Sequence, residues 1–285
     1  MTMRRIGILH PGEMGISIAA SAERSGGKVY WASDGRRAPT RARAERHALI
    51  DAGTVAALCR ECEVVISVCP PHAAEALAAD VAAGGFAGLY VDANAIAPAR
   101  AVRIGALLER AGAAFVDGGI IGGPAWQPGK TWLCLSGPRA AEVAACFSAG
   151  PLETQVLGAE IGAASALKMC YAAHGKGVTA LLCAVLGAAE RLGVREALVG
   201  HWARDEGAVA AAAERIGRSL PKAWRYVGEM EEIASTFRSV DLPGEFHDAA
   251  AEIYRRLAGF KDAPGRPSLD EMLEGLLAGR PMGRA

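Results

Sequence analysis

The residues with the clearest chemical possibilities open the chain. Arg5-Ile6-Gly7-Ile8-Leu9 is an apolar strand signal that runs into His10-Pro11-Gly12-Glu13-Met14-Gly15 and then into Ile16-Ser17-Ile18-Ala19-Ala20. Strand, glycine turn and helix start in that order form the arrangement that holds a dinucleotide pyrophosphate. Gly12 lets the backbone approach the phosphates, Gly15 lets the helix pack tightly on the strand, and the free N–H groups of the first helical turn face the negative charge. The turn is a variant of G-x-G-x-x-G, because His10 stands at the first glycine position and Pro11 follows it. His10, Pro11, Gly12, Glu13 and Met14 are the first candidate cofactor contacts.

Cofactor choice depends on the end of the second strand signal, Lys28-Val29-Tyr30-Trp31-Ala32, which runs into Ser33-Asp34-Gly35-Arg36-Arg37. An acidic residue about twenty positions past the glycine turn normally binds the ribose hydroxyls of NAD, and Asp34 competes for that role. Asp34-Gly35 is also a turn dipeptide. Ser33, Arg36 and Arg37 offer a hydroxyl and two guanidinium groups suited to a 2′-phosphate, and Arg41 and Arg43 continue the positive charge. NADP is the expected cofactor, ahead of NAD. The competing structural reading of the same arginines is a solvated helix start.

Elements that can position these residues alternate along the first half. Strand signals occur at Ile6 to Leu9, Val29 to Ala32, Val64 to Cys69, Leu89 to Asp92, Ala114 to Asp117 and Thr131 to Ser136, with helix-like segments in most gaps. The expected fold is α/β, a Rossmann-type doubly wound parallel sheet followed by an all-α C-terminal domain. Ligands gather at the carboxyl ends of such strands, so the corners Cys69-Pro70-Pro71, Asp92-Ala93-Asn94 and Asp117-Gly118-Gly119 add Cys69, Pro70 and Asn94 to the cofactor contacts. Past Gly158 strand signals stop and alanine- and leucine-rich helical spacing takes over. A cofactor domain over residues 1–158 and a helical substrate and dimerisation domain over 159–285 follow. Ile161 to Leu192 reads as one long helix, apolar enough to need cover on several sides, which points to a homodimer. The tail from Pro264, with Gly279, Pro281 and Gly283, reads as loosely held at its end.

Composition excludes several function classes. Thirty-one basic and thirty-one acidic residues leave a formal net charge of zero, so no overall field gathers nucleic acid or an anionic membrane, and neither partner is expected. The longest apolar run, Val178 to Ala189, is too short to span a bilayer and marks a helix buried in protein. No signal peptide precedes the first strand, and seven cysteines without a pairing framework fit a reducing cytoplasm. Cys59 and Cys62 form a C-x-x-C that no second pair or histidine cluster completes, so they are expected as reduced thiols at a helix end and no metal site is expected.

Taken together, these features resemble the beta-hydroxyacid dehydrogenase superfamily, in its branch of 6-phosphogluconate-dehydrogenase-like proteins with a distinctive, DUF1932-like C-terminal helical domain. Four places carry the resemblance. They are Gly12-Glu13-Met14-Gly15; Val91-Asp92-Ala93-Asn94-Ala95-Ile96-Ala97-Pro98, at the place of D-x-S-T-x-x-P; Phe115-Val116-Asp117-Gly118-Gly119-Ile120-Ile121-Gly122-Gly123, similar to D-A-P-V-S-G-G; and Gly162 to Lys168, similar to the family's glycine-to-catalytic-lysine spacing. The stretch Phe237 to Tyr254 looks like the terminal domain of that branch. Departures matter too. The family's asparagine one turn after the lysine is absent, Tyr171 stands three residues after Lys168, the Ser-Thr pair has become Asn94 and Ala95, and the serine of the later segment is Ile121. Asn94 and the backbone N–H groups of Gly122 and Gly123 remain to bind substrate. The pocket is expected to be less polar than in small hydroxyacid enzymes, and Trp126 either lines it or packs in the core.

The resemblance makes Lys168 the expected general acid/base. On a helix, Lys168, Tyr171, Ala172, Gly175 and Thr179 share one face, so lysine and phenol can meet one substrate. Oxidising an alcohol by hydride loss to nicotinamide requires a base for the hydroxyl proton, which a lysine partly desolvated at a domain interface can provide. In reverse its ammonium donates to the carbonyl oxygen, with Tyr171 as second donor. Without the resemblance, Lys168 reads as a solvated residue on an amphipathic helix. The leading expectation is an NADP-dependent oxidoreductase acting on a hydroxyl or carbonyl of a small or medium organic acid or related metabolite. An imine reductase with Tyr171 as proton donor is the second reading, opposed by the repulsion between a cationic lysine and an iminium. A catalytically inactive NADPH sensor is the third.

Overall fold

The computed structural model describes residues 4–204, 208–261, 263 and 265–278. The chain falls into two compact units, Met1–Met169 and Cys170–Ala285. The first unit contains β1 (Arg5–Ile8), α1 (Glu13–Arg24), β2 (Lys28–Trp31), α2 (Ala38–Arg46), β3 (Ile50–Asp51), α3 (Val55–Glu61), β4 (Val64–Ser67), α4 (Ala74–Ala83), β5 (Leu89–Asp92), α5 (Pro98–Arg110), β6 (Ala114–Gly122), β7 (Thr131–Ser136), α6 (Ala140–Ala144) and β8 (Leu152–Gly158). It also takes in the opening turns of α7 (Ala163–Arg191).

One eight-stranded sheet runs in the order β3-β2-β1-β4-β5-β6-β7-β8. Every neighbouring pair is parallel except β6 with β7. The order reverses between β1 and β4, which opens a crevice at their carboxyl ends. Alternate strand residues enter opposite cores. Ile6, Ile8, Val64, Ile66, Leu89 and Val91 pack on one face, and Val65, Tyr90 and Phe115 on the other. Burial on both faces explains why these strands are continuous apolar runs rather than alternating ones.

Three departures from the sequence expectation have physical causes. β8 escapes notice because most of Leu152-Glu153-Thr154-Gln155-Val156-Leu157-Gly158 stays at least partly open to solvent on the sheet edge, leaving little apolar signal. β3 is only two residues long. Asp117-Gly118-Gly119 is not a corner: β6 continues to Gly122, because the antiparallel ladder with β7 pairs residues 117–122 with residues 131–136.

The second unit holds the rest of α7 and then α8 (Arg195–Trp202), α9 (Ala208–Ser219), α10 (Ala223–Arg238), α11 (Glu245–Arg256) and α12 (Leu269–Ala278). Lys176 on α7 pairs with Glu229 on α10 at 2.5 Å, and the Tyr254 hydroxyl of α11 donates to the Lys176 carbonyl at 2.7 Å, tying three helices together. Helix α7 spans 29 residues and is the one described helix long and apolar enough to cross a membrane by length and composition, with half of its most apolar window buried in the fold. Met272, Leu273 and Leu276 bury one face of α12. The tail expected to be loosely held, with Gly279, Pro281 and Gly283, lies outside the described residues.

Candidate functional site

The glycine turn joins β1 to α1. The Gly12 N–H donates to the His10 carbonyl at 2.8 Å, which closes the turn. A Cβ on Gly15 would sit 2.0 Å from that carbonyl oxygen, so only glycine permits this approach of helix to strand. A Cβ on Gly12 would meet nothing within 4 Å, so the space above the turn is open. Gly12 caps α1 without a side-chain hydrogen bond, and Glu13 is exposed. Backbone donors and an open approach suit a pyrophosphate. His10 at the first glycine position has its Nδ1 buried with no hydrogen-bond partner. Burial, reinforced by the charge of Arg36, lowers its pKa to about 4, so the imidazole is neutral at physiological pH.

Residues after β2 lie at the same carboxyl end of the sheet. Gly35 adopts φ +68°, and the Arg36 N–H bonds back to the Ser33 carbonyl at 3.1 Å, folding Arg36 inward. Its Nε is buried without a partner, and burial lowers its pKa. Arg37 is exposed at the start of α2. Ser33 is buried, and its carbonyl accepts from Arg41 at 2.7 Å. Its backbone thus helps to hold the turn. Arg41 also donates to the Arg36 carbonyl at 3.1 Å, and Arg43 reaches the Pro11 carbonyl at 3.5 Å. These two arginines lock the loop, a role that depends on contacts with backbone carbonyls and leaves no mark in sequence.

Beyond β4 and β5 lies a buried polar cluster. Asn94 Oδ1 accepts from the Cys69 N–H at 2.5 Å, and Asn94 Nδ2 donates to the Ser67 hydroxyl at 3.0 Å. The side chain expected to face cofactor and substrate instead fastens the Cys69-Pro70 corner to β4. Burial pushes the Cys69 thiol up to about 12, so it stays protonated. Asp92 is completely buried, accepts the Asn94 N–H at 3.0 Å through Oδ1, and leaves Oδ2 without a partner. Burial raises its pKa to about 7.

Lys168 lies on the opening turns of α7 and is half-buried. A Cβ on Gly119 would lie 2.6 Å from the Ala164 carbonyl and 2.9 Å from the Lys168 Cβ, so glycine at 119 lets this helix lie directly on β6. Since Asp92 pairs with Asp117, Gly119 extends past the carboxyl end of β5, and Lys168 stands at the same carboxyl end of the sheet as the glycine turn. Gly122 and Gly123 are exposed at the end of β6. Tyr171, one turn beyond Lys168, is 58% exposed. Trp126 is 45% exposed and stacks on His47 with ring centroids 5.5 Å apart, which rules out the core reading. Cys59 and Cys62 are buried free thiols at the end of α3. A cavity of about 280 Å³ lined by Arg4, Glu63, Val64, Leu89, Arg139 and Glu142 opens at the amino ends of β4 and β5, away from all of these residues.

Known proteins share this fold. Residues 5–146 match the NAD binding domain of 6-phosphogluconate dehydrogenase, and residues 189–257 match a domain of unknown function, DUF1932. A solved conserved protein of unknown function, described as structurally similar to 3-hydroxyacid dehydrogenases, is 28% identical, with a TM-score of 0.65 over 90% of this chain and 97% of its own. A conserved hypothetical protein from Sinorhizobium meliloti is 25% identical, with a TM-score of 0.69 over 97% of each chain. The 3-hydroxyisobutyrate dehydrogenase of Mycobacterium tuberculosis, solved with L-serine, shares the fold at 20% identity, with a TM-score of 0.67 over 96% of this chain and 99% of its own. No curated protein sequence matches the chain. With a dinucleotide-binding crevice at the reversal of strand order and a DUF1932 domain following it along the chain, the chain belongs to the superfamily of beta-hydroxyacid and 6-phosphogluconate dehydrogenase-like oxidoreductases, in the branch that carries that C-terminal domain.

Proposed function

We propose that this protein is an NADP-dependent oxidoreductase that interconverts a hydroxyl and a carbonyl on a small or medium organic acid or related metabolite, with Lys168 as general acid/base. The observation that carries this reading is the seat of Lys168 against Gly119, at the same carboxyl end of the sheet as the glycine turn. Bound nicotinamide supplies or accepts the hydride. The turn from His10 to Gly12 and the first N–H groups of α1, at Glu13 and Met14, hold the pyrophosphate. Arg36 and Arg37 take the 2′-phosphate. Asn94 keeps the Cys69-Pro70 corner in place through its bond to the Cys69 N–H.

Lys168 Nζ removes the hydroxyl proton during oxidation and returns it to the carbonyl oxygen during reduction, with Tyr171 as second donor. Backbone N–H groups at Gly122 and Gly123 receive a substrate carboxylate. The apolar α7, half-buried over its most apolar window, supports a homodimer in which a second copy covers exposed Leu167 and Leu181. A cytoplasmic location fits the seven free thiols.

Thermal unfolding with NADPH, NADH or neither tests the cofactor, and turnover on hydroxyacids, carbonyl compounds and imines tests the chemistry. A larger midpoint shift with NADPH, and carbonyl turnover that Lys168→Ala removes, are expected. Imine turnover that survives Lys168→Ala and is lost in Tyr171→Phe would assign the protein to C=N reduction. Cofactor binding with no turnover on any class would make it a sensor.

A further inference from the structure

We propose that His10 and Arg36 together form a proton-linked receptor for the 2′-phosphate, in which His10 takes up a proton from solvent as the phosphate enters. The proposal rests on the NADP reading above and adds to it a role for the residue that replaces the first glycine of the turn.

The starting point is an arrangement that is unfavourable as it stands. His10 Nδ1 and Arg36 Nε are both buried and both without a hydrogen-bond partner. Buried polar groups are ordinarily satisfied, and two in one crevice are a specific exception. The two side chains are near enough for the guanidinium charge to act on the imidazole. Arg36 carries a full charge, so a proton on His10 would bring two cations together in a partly buried turn, and His10 stays neutral.

Other charged and titratable groups nearby do not relieve this. Arg43, from α2, donates to the Pro11 carbonyl beside His10 and adds positive charge. Cys69, after β4, is a protonated thiol. Asp34 acts on Arg36 but is exposed, so water screens it. Glu13 is exposed at the head of α1. What the crevice lacks is an anion. A 2′-phosphate placed there accepts from Arg36 Nε, and its negative charge offsets the repulsion that keeps His10 neutral, so the imidazole binds a proton and becomes a second charged donor. The proton comes from the buffer, and no bond other than N–H is made. NADH, which has a hydroxyl in place of the phosphate, leaves His10 as it was.

Isothermal titration of the full chain with NADPH and with NADH, each at pH 7 in two buffers of different ionisation enthalpy, reads the protons exchanged on binding. The phosphate can itself lose a proton, so the decisive quantity is the difference between wild type and His10→Asn. His10→Gly, which restores the usual glycine, serves as a second variant if His10→Asn does not fold. The expected result is roughly one more proton taken up per site by wild type than by either variant with NADPH, and no such difference with NADH. The NADPH affinity of wild type should also weaken with rising pH more steeply than that of the variants. If NADPH is preferred but proton uptake is the same in wild type and variants, the receptor role of His10 is overturned while the NADP reading stands. If NADPH and NADH bind equally, the NADP reading itself fails, and the receptor with it.

Discussion

The Ser165 hydroxyl donates to Asp117 Oδ1 at 2.6 Å, joining the helix that carries Lys168 to the strand it lies on. Asp117 Oδ2 accepts three more hydrogen bonds, from the Gly162 and Ser165 N–H groups and the Ser136 hydroxyl, at 3.0, 2.9 and 3.0 Å. One buried carboxylate therefore satisfies donors at the amino end of α7 and on β7, three residues before the lysine. Removing it leaves several buried donors without an acceptor. Asp117→Ala should cost about 3–5 kcal/mol in urea unfolding, and Asp117→Asn less, because it keeps one oxygen. A change below about 1 kcal/mol for Asp117→Ala would sever the proposed link between this carboxylate and the placement of Lys168.

Lys168→Ala should lower turnover by roughly 10²–10⁴-fold, the scale of a lost general acid/base, with NADPH affinity held within about twofold. Steady-state kinetics paired with direct cofactor titration separates the two effects. A parallel loss of cofactor affinity would mean that Lys168 holds the dinucleotide rather than moving a proton.

The two glycines of the turn should respond in opposite ways. Gly15→Ala forces a Cβ against the His10 carbonyl and should lower the thermal midpoint without any ligand. Gly12→Ala meets open space, so the unliganded midpoint should move little while the NADPH-induced shift shrinks. A normal NADPH shift in folded Gly12→Ala would place the pyrophosphate elsewhere.

Asp92 gives the fold a pH dependence of definite sign. Burial raises its pKa from the ordinary carboxyl value of 3.8 to about 7, so between those values the folded state binds the proton more tightly than the unfolded chain. The stabilisation is complete below the unfolded value and is lost as pH rises through the folded one, a change of about 2–4 kcal/mol. Asp92→Asn keeps an acceptor for the Asn94 N–H and removes the titration. Urea midpoints at pH 5 and pH 8 should show the variant gaining on wild type at the higher pH, and a constant difference would contradict the burial argument.

Arg36→Gln should weaken NADPH binding by at least about tenfold while leaving NADH binding nearly unchanged, since it removes a charged partner for the 2′-phosphate alone. Fluorescence titration of both reduced cofactors measures this directly. Equal losses for the two would assign Arg36 to the loop structure rather than to the phosphate.

What the sequence by itself determined is local. The strand, turn and helix around Gly12 and Gly15, the apolar runs of β1, β4 and β5, and the helical period of α7 are all written in neighbouring residues, because hydrogen bonds within a turn and burial on both sides of a strand constrain consecutive positions. The tertiary structure alone decided the rest. Asn94 and Asp117 look like groups offered to a ligand or a corner, yet each is taken by a partner far along the chain: Cys69 and Ser165. Trp126 finds His47 in the same way, and Gly118 and Gly119 remain in a strand because β7 pairs with them. A polar side chain carries its donors and acceptors in its identity. Which of them are spent inside the protein and which are left over, as at His10 and Arg36, is settled only when distant segments are brought within hydrogen-bonding distance.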